Sequence, residues 1–86
     1  MIDLYLKATS KAKMDAALLA SELFEDFNGE LNPVHSGILI DRIGTSPADS
    51  AERGYFVNVR LIYADDAPAA LAALQTSPVT PWRVWA

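Results

Sequence analysis

Cysteine is absent from this chain, histidine occurs once, and basic residues are the minority among the charged ones. Without cysteine there can be no disulfide and no thiolate metal site, and the redox compartment leaves no mark on the composition. One histidine and scattered carboxylates form no spacing that resembles a zinc or calcium loop, so no metal or other cofactor is expected. Seven lysines and arginines against eleven acids give a net charge of −4, the wrong sign for binding a polyanion, and nucleic acid is not the expected partner. No apolar run approaches the ~20 residues needed to span a bilayer. The start, Met1-Ile2-Asp3-Leu4, lacks the basic and apolar regions of a signal peptide. The expectation is therefore a soluble protein of the cytoplasm without a membrane partner.

Apolar residues make up 51% of the 86, but fourteen of them are alanine, which buries little area. One domain spanning residues 1–86 is expected, near the small end of what folds alone, and self-association or a protein partner would help so small a core.

Ile2, Leu4 and Leu6 alternate with Asp3, Tyr5 and Lys7, the period of a strand with one buried face. Thr9-Ser10 then offers a cap for a helix from Lys11 to Phe27, with Ala16, Leu19, Ala20, Leu23 and Phe27 at helical spacing, Leu18 and Phe24 widening the stripe, and Asn28-Gly29 as its stop. After a turn at Asn32-Pro33, Val34 to Ile43 reads as a second strand, with Ile38 and Ile40 on one side and Leu39 and Asp41 on the other. Gly44 to Gly54 is a long polar loop. Tyr55 to Tyr63 is the clearest strand, with Val57, Val59 and Leu61 on one face and Phe56, Asn58, Arg60 and Ile62 on the other. Being apolar on much of both faces, it should be central. Asp65-Asp66-Ala67-Pro68 opens a second helix that Ser77-Pro78 ends. Pro81 to Ala86, which holds both tryptophans, reads as a closing strand.

The order strand, helix, strand, strand, helix, strand predicts an α+β, ferredoxin-like βαββαβ domain: a four-stranded antiparallel sheet with two helices on one face. Its first and third strands lie in the middle, and the other face stays open.

That open face is the sharpest candidate surface. Alternation assigns Tyr5, Phe56, Asn58, Arg60, Arg83 and Trp85 to it, a mixture of aromatic, amide and guanidinium groups that suits a protein interface and needs no net positive charge. An RNA-reading sheet has a similar composition, but the acidic balance and Asp3 and Asp41 on the same face oppose it. An exposed edge strand could add a partner strand. The other candidates carry less. His35 and Ser36 are strand neighbours that point to opposite faces and cannot form a triad with Asp41. Glu22, Glu25 and Asp26 near the end of the first helix, with Lys11 and Lys13 near its start, oppose the helix dipole and read as a solvated face. The alternative class, a small-molecule-binding domain or minor enzyme, would need His35, Asn58 and Arg60 to converge on one pocket.

Gly54-Tyr55-Phe56-Val57-Asn58-Val59-Arg60, followed by Pro78, Pro81 and Arg83-Val84-Trp85-Ala86, resembles small uncharacterised proteins of tailed bacteriophages and prophages. The opening strand and its methionine- and alanine-containing helix are similar too. The resemblance implies a gene product encoded near tail genes, with a structural or assembly-accessory role in the host cytoplasm or the virion. It implies no catalytic residues, and its expected partners are another copy, a phage protein or a host protein.

Overall fold

The structure, a computed structural model, describes residues 1–45 and 53–76. The N-terminal alternation forms β1 (Ile2–Ala8), in which Leu4 and Leu6 are fully buried while Tyr5 and Lys7 on the other side are part-exposed. Ser10 caps α1 (Lys11–Ala20), its hydroxyl accepting the Lys13 amide at 3.2 Å. That satisfies one of the donors that a helix start leaves unpaired.

α1 is shorter than its sequence pattern predicts and is turned differently. Met14 and Leu18 are buried, whereas Leu19 is 40% exposed and Phe27 lies outside the helix altogether. Ser21 donates its hydroxyl to the Leu18 carbonyl at 2.5 Å, and Glu22 takes a left-handed φ of 65°, which turns the chain out of the helix. The error of phase has a physical source. Alanines can sit on either face at little energetic difference, so the two long apolar side chains four residues apart choose the buried side.

Asn28-Gly29 is a hairpin turn and not a helix stop. It joins β2 (Phe24–Phe27) to β3 (Glu30–Pro33), with Phe27 opposite Glu30. φ is 54° at Asn28 and 83° at Gly29. Two positive φ values in a two-residue connection match the right-handed twist of the flanking strands. The Asp26 carboxylate accepts the Gly29 amide at 3.1 Å and braces the turn. Asn32 and Pro33 finish β3 instead of forming a turn, and Glu25 and Asp26 lie on β2, so these two acids oppose no helix dipole, whereas Glu22 just past the C-cap of α1 and Lys11 and Lys13 in its first turn keep the reversed placement.

The expected second strand is displaced toward its C-terminal end, as β4 (Ile38–Thr45), with an irregularity in register between Arg42 and Gly44. The third is β5 (Tyr55–Leu61), and it is central as expected: the main sheet runs β1-β5-β4, all antiparallel, and β2-β3 form a separate two-stranded sheet. α2 is a single turn (Ala69–Ala72) behind Pro68, much shorter than the span from Asp65 to Ser77 that the sequence suggests. An alanine-rich segment this short has little helical stability of its own. Leu71 holds it down.

The core lies between this sheet and both helices. Leu4, Leu6, Ile38, Val57, Val59 and Leu61 from the strands meet Met14, Leu18 and Leu71 from α1 and α2, so the helices share one face of an α+β fold. Among the described residues the main sheet has three strands; the closing strand expected from Pro81 to Ala86, with Trp82, Arg83 and Trp85, lies outside them. Leu74 to Thr76 nevertheless runs along the outer side of β1. Lys7 donates its amide to the Leu74 carbonyl at 2.9 Å, and Thr76 donates to the Tyr5 carbonyl at 2.7 Å. No helix among the described residues is long and apolar enough to cross a membrane.

Candidate functional site

Register decides which side chains share the sheet face turned away from α1. Opposed residues across β1, β5 and β4 form rows: Asp3, Arg60 and Leu39; then Tyr5, Asn58 and Asp41; then Lys7, Phe56 and Gly44. The Ile62 amide donates to the Gly37 carbonyl at 2.9 Å, which carries the β5–β4 ladder one residue further and places Ile62 opposite Gly37, on the same face as Leu39 and diagonal to it.

The face is closed at one end and open at the other. Phe56 is 0% and Asn58 1% exposed, and Phe56 stands outside the cluster beneath the helices. Neither is presented to a partner in this state, which corrects the expectation of an open surface centred on the middle of this strand. The alternation placed them on the right face, but residing on a helix-free face does not by itself leave a side chain in water. Tyr5 is part-buried. Leu39 and Ile62, in contrast, are 42% and 37% exposed.

Between these halves lies a cross-strand ion pair. Arg60 donates from Nε to Asp3 Oδ1 at 2.6 Å and from Nη2 to Oδ2 at 3.0 Å, the two-pronged geometry that planar guanidinium and carboxylate groups favour. The hydrogen bond to Arg60, reinforced by its charge, holds the Asp3 carboxyl below the usual carboxylate range, and the same bond raises Arg60. Arg60 is thus engaged within the chain. Alternation alone presents Arg60 as a group offered to a partner, with Asp3 on the same face and no pairing between the two.

The other expected residues are placed plainly. Arg83 and Trp85 lie outside the described residues. His35, in the loop before β4, accepts the Gly37 amide on Nδ1 at 3.0 Å, and it lines an apolar pocket of about 100 Å³ with Leu23, Ile38, Leu61 and Tyr63. Asn58 and Arg60 are not in that lining: Ile38 and Leu61 face the helices, whereas Asn58 and Arg60 face the other way. The three residues that a small-molecule or catalytic site was expected to use do not converge.

A second charged group fastens α1 to the sheet. Asp15 receives Lys11 Nζ on Oδ2 at 2.8 Å and meets Arg42 Nη2 on Oδ1 at 3.0 Å, and Arg42 Nη1 donates to the Tyr55 hydroxyl at 3.2 Å. Oδ1 is enclosed, and its contact with Arg42 is an ion pair without hydrogen-bond alignment. Burial alone would raise the Asp15 pKa, but the two cations outweigh it and the net shift is downward. Arg42 is therefore drawn over the helix side of β4.

Leu39 and Ile62 are the surface residues that sequence reasoning passed over. Leu39 was legible in the alternation against Ile38 and Ile40, and Ile62 was assigned to the correct face, but aromatic and charged neighbours drew the weight. Compared with protein-family models, with curated proteins and with solved structures, the chain has no match.

Proposed function

We propose that this chain is a non-enzymatic interaction module, an assembly-accessory protein of the phage or prophage kind that the sequence resemblance implies, built on the ferredoxin-like plan. The strand order β1-β5-β4 agrees with three of the four positions of that plan, and the chain after α2 already follows the side of β1 where a fourth strand belongs. The surface that acts is the open end of the helix-free face, and not its centre.

One observation carries this reading: Leu39 and Ile62, both large, apolar and more than a third exposed, lie diagonally across β4 and the end of β5, with Leu39 opposite Arg60 of the Asp3–Arg60 pair. Apolar side chains scattered singly on a surface mean little, whereas neighbours rimmed by polar groups have the make-up of an interface. The separation of His35 from Asn58 and Arg60 counts against the small-molecule alternative.

The test is a pull-down from phage-infected cells with the whole chain and with an Ile62→Ser/Leu39→Ser double variant, whose sites lie outside the core cluster. Loss of specific partners by a variant that remains folded in a thermal melt is the expected result. If every partner, including further copies of the chain, is retained by the double variant, this reading fails.

A further inference from the structure

The turn between β2 and β3 holds a reactive pair of residues. An asparagine followed by glycine can close on itself: the Gly29 backbone nitrogen attacks Asn28 Cγ, the bond from Cγ to the side-chain nitrogen breaks, and that nitrogen leaves as ammonia. Water then opens the five-membered imide at one of its two carbonyls, giving aspartate or, with the main chain rerouted through Cβ, isoaspartate. The balance is asparagine plus water to aspartate or isoaspartate plus ammonia, and no other reactant is needed. Glycine favours the attack because no side chain shields its nitrogen. The chain's other asparagines are poorly placed for it. Asn32 precedes Pro33, whose nitrogen has no proton to lose, and Asn58 is buried and precedes the buried, β-branched Val59. Asn28 and Gly29 are both exposed, and a Cβ on Gly29 would meet nothing within 4 Å.

The folded turn opposes the attack in two ways. With φ of 54° and 83° at its two central residues it belongs to the class in which the first of them has ψ of about +30°. Ring closure needs the Gly29 nitrogen on the same side of the Cα–C bond as Asn28 Cβ, and this ψ places it on the far side. The Gly29 amide is also held by the Asp26 carboxylate at 3.1 Å, so removing its proton would set a second anion against the first. The reaction must therefore wait for the turn to open. β2 and β3 pair only with each other, Glu25, Asp26 and Phe27 are exposed, and the ribbon's hold on the core comes from Phe24 and Leu31. A two-stranded ribbon on so few anchors opens locally at low cost.

We propose that Asn28 is a self-modification site, converted by water to aspartate and isoaspartate, and gated by opening of the β2–β3 hairpin. Conversion adds a negative charge to a turn already flanked by Glu25, Asp26 and Glu30. Isoaspartate also lengthens the main chain inside a two-residue connection, which breaks the register of Phe27 with Glu30 at the tip. Nothing in this depends on the interaction proposed for Leu39 and Ile62.

The test is to incubate the whole chain in mildly alkaline buffer, with and without enough urea to unfold it, and to follow each asparagine by peptide mass spectrometry with fragmentation that separates aspartate from isoaspartate. The expected result is conversion at Asn28 in both samples, ahead of Asn32 and Asn58, and slower in the folded chain by about tenfold to a thousandfold. Asp26→Ala, which removes the brace on the Gly29 amide, should speed the folded reaction by about threefold or more and leave the reaction in urea unchanged. A ratio below about tenfold would mean that the turn does not shield the site, and one beyond about a thousandfold that only unfolding of the whole chain exposes it. Either overturns the gating, as does a folded rate that Asp26→Ala leaves unchanged. Conversion at Asn32 or Asn58 ahead of Asn28 overturns the assignment of the site.

Discussion

Truncating Leu18 and Leu19 separately asks which side of α1 is inside. Leu18 is 0% exposed among Met14, Leu71 and the strand residues, and Leu19 is 40% exposed. Cutting leucine to alanine removes three carbons, worth roughly 2.4 kcal/mol at ~0.8 kcal/mol per buried methylene. The cavity left behind brings the usual total for a fully buried site to about 2–5 kcal/mol. A domain of this size is stable by roughly 4–13 kcal/mol in all, so Leu18→Ala should remove a large share of it. A loss of about 3 kcal/mol lowers the thermal midpoint by roughly 12–24 °C in a domain this small. Leu19→Ala loses partial burial only, and alanine's better helix propensity offsets some of that, so its effect should stay within about 1 kcal/mol. Urea and thermal unfolding followed by far-ultraviolet circular dichroism would measure both. Equal losses, or a larger loss for Leu19→Ala, would refute the packing described for α1.

Two further outcomes are expected. Gly54 has φ +142°, and a Cβ there would stand 2.8 Å from the Ala8 carbonyl oxygen, so Gly54→Ala should cost on the order of 1–3 kcal/mol of backbone strain and crowding in urea titrations. A cost indistinguishable from zero would mean that the approach of β5 to the end of β1 is looser than described. Asp3 and Asp15 both have pKa values below the ordinary 3.8. Each therefore binds protons more readily unfolded than folded, stabilises the fold above that value, and loses the contribution as pH falls through 3.8 and onward through the lower folded value. Stability measured from pH 5 to pH 2 should fall less steeply in an Asp3→Asn/Asp15→Asn variant, and an unchanged slope would show that these two carboxylates are not the ones that matter.

What could be read from the sequence divides along lines of range. β1 and β5 were legible because alternation is a local signal and their buried faces are filled with large residues: Leu4 and Leu6 in one, Val57, Val59 and Leu61 in the other. The central place of β5 followed from apolar residues on both of its faces. The segment from Leu23 to Pro33 was misread because Asn28-Gly29 is compatible with ending a helix and with turning a hairpin. Only the pairing of Phe24 with Pro33 and Phe27 with Glu30 separates the two. For the surface, alternation sorted side chains by face correctly, yet a face is not an exposure. Whether Phe56 is in water depends on cover brought from elsewhere in the fold, and whether Arg60 is available depends on Asp3, a residue 57 positions away. Such facts are tertiary and have no counterpart in a local pattern.

The hydrogen bonding on the two sides of β1 also bears on when this protein can fold. β1 is synthesised ahead of its partners, which are residues 55–61 on one side and 74–76 on the other. α1 and the β2-β3 hairpin involve only neighbouring residues, and such local elements form within microseconds. β1 must wait, its backbone unpaired, until most of the chain has left the ribosome, and pairings of this long range are slow to close. The interval before residue 55 is available is therefore when this chain is most exposed to pairing with the wrong strand.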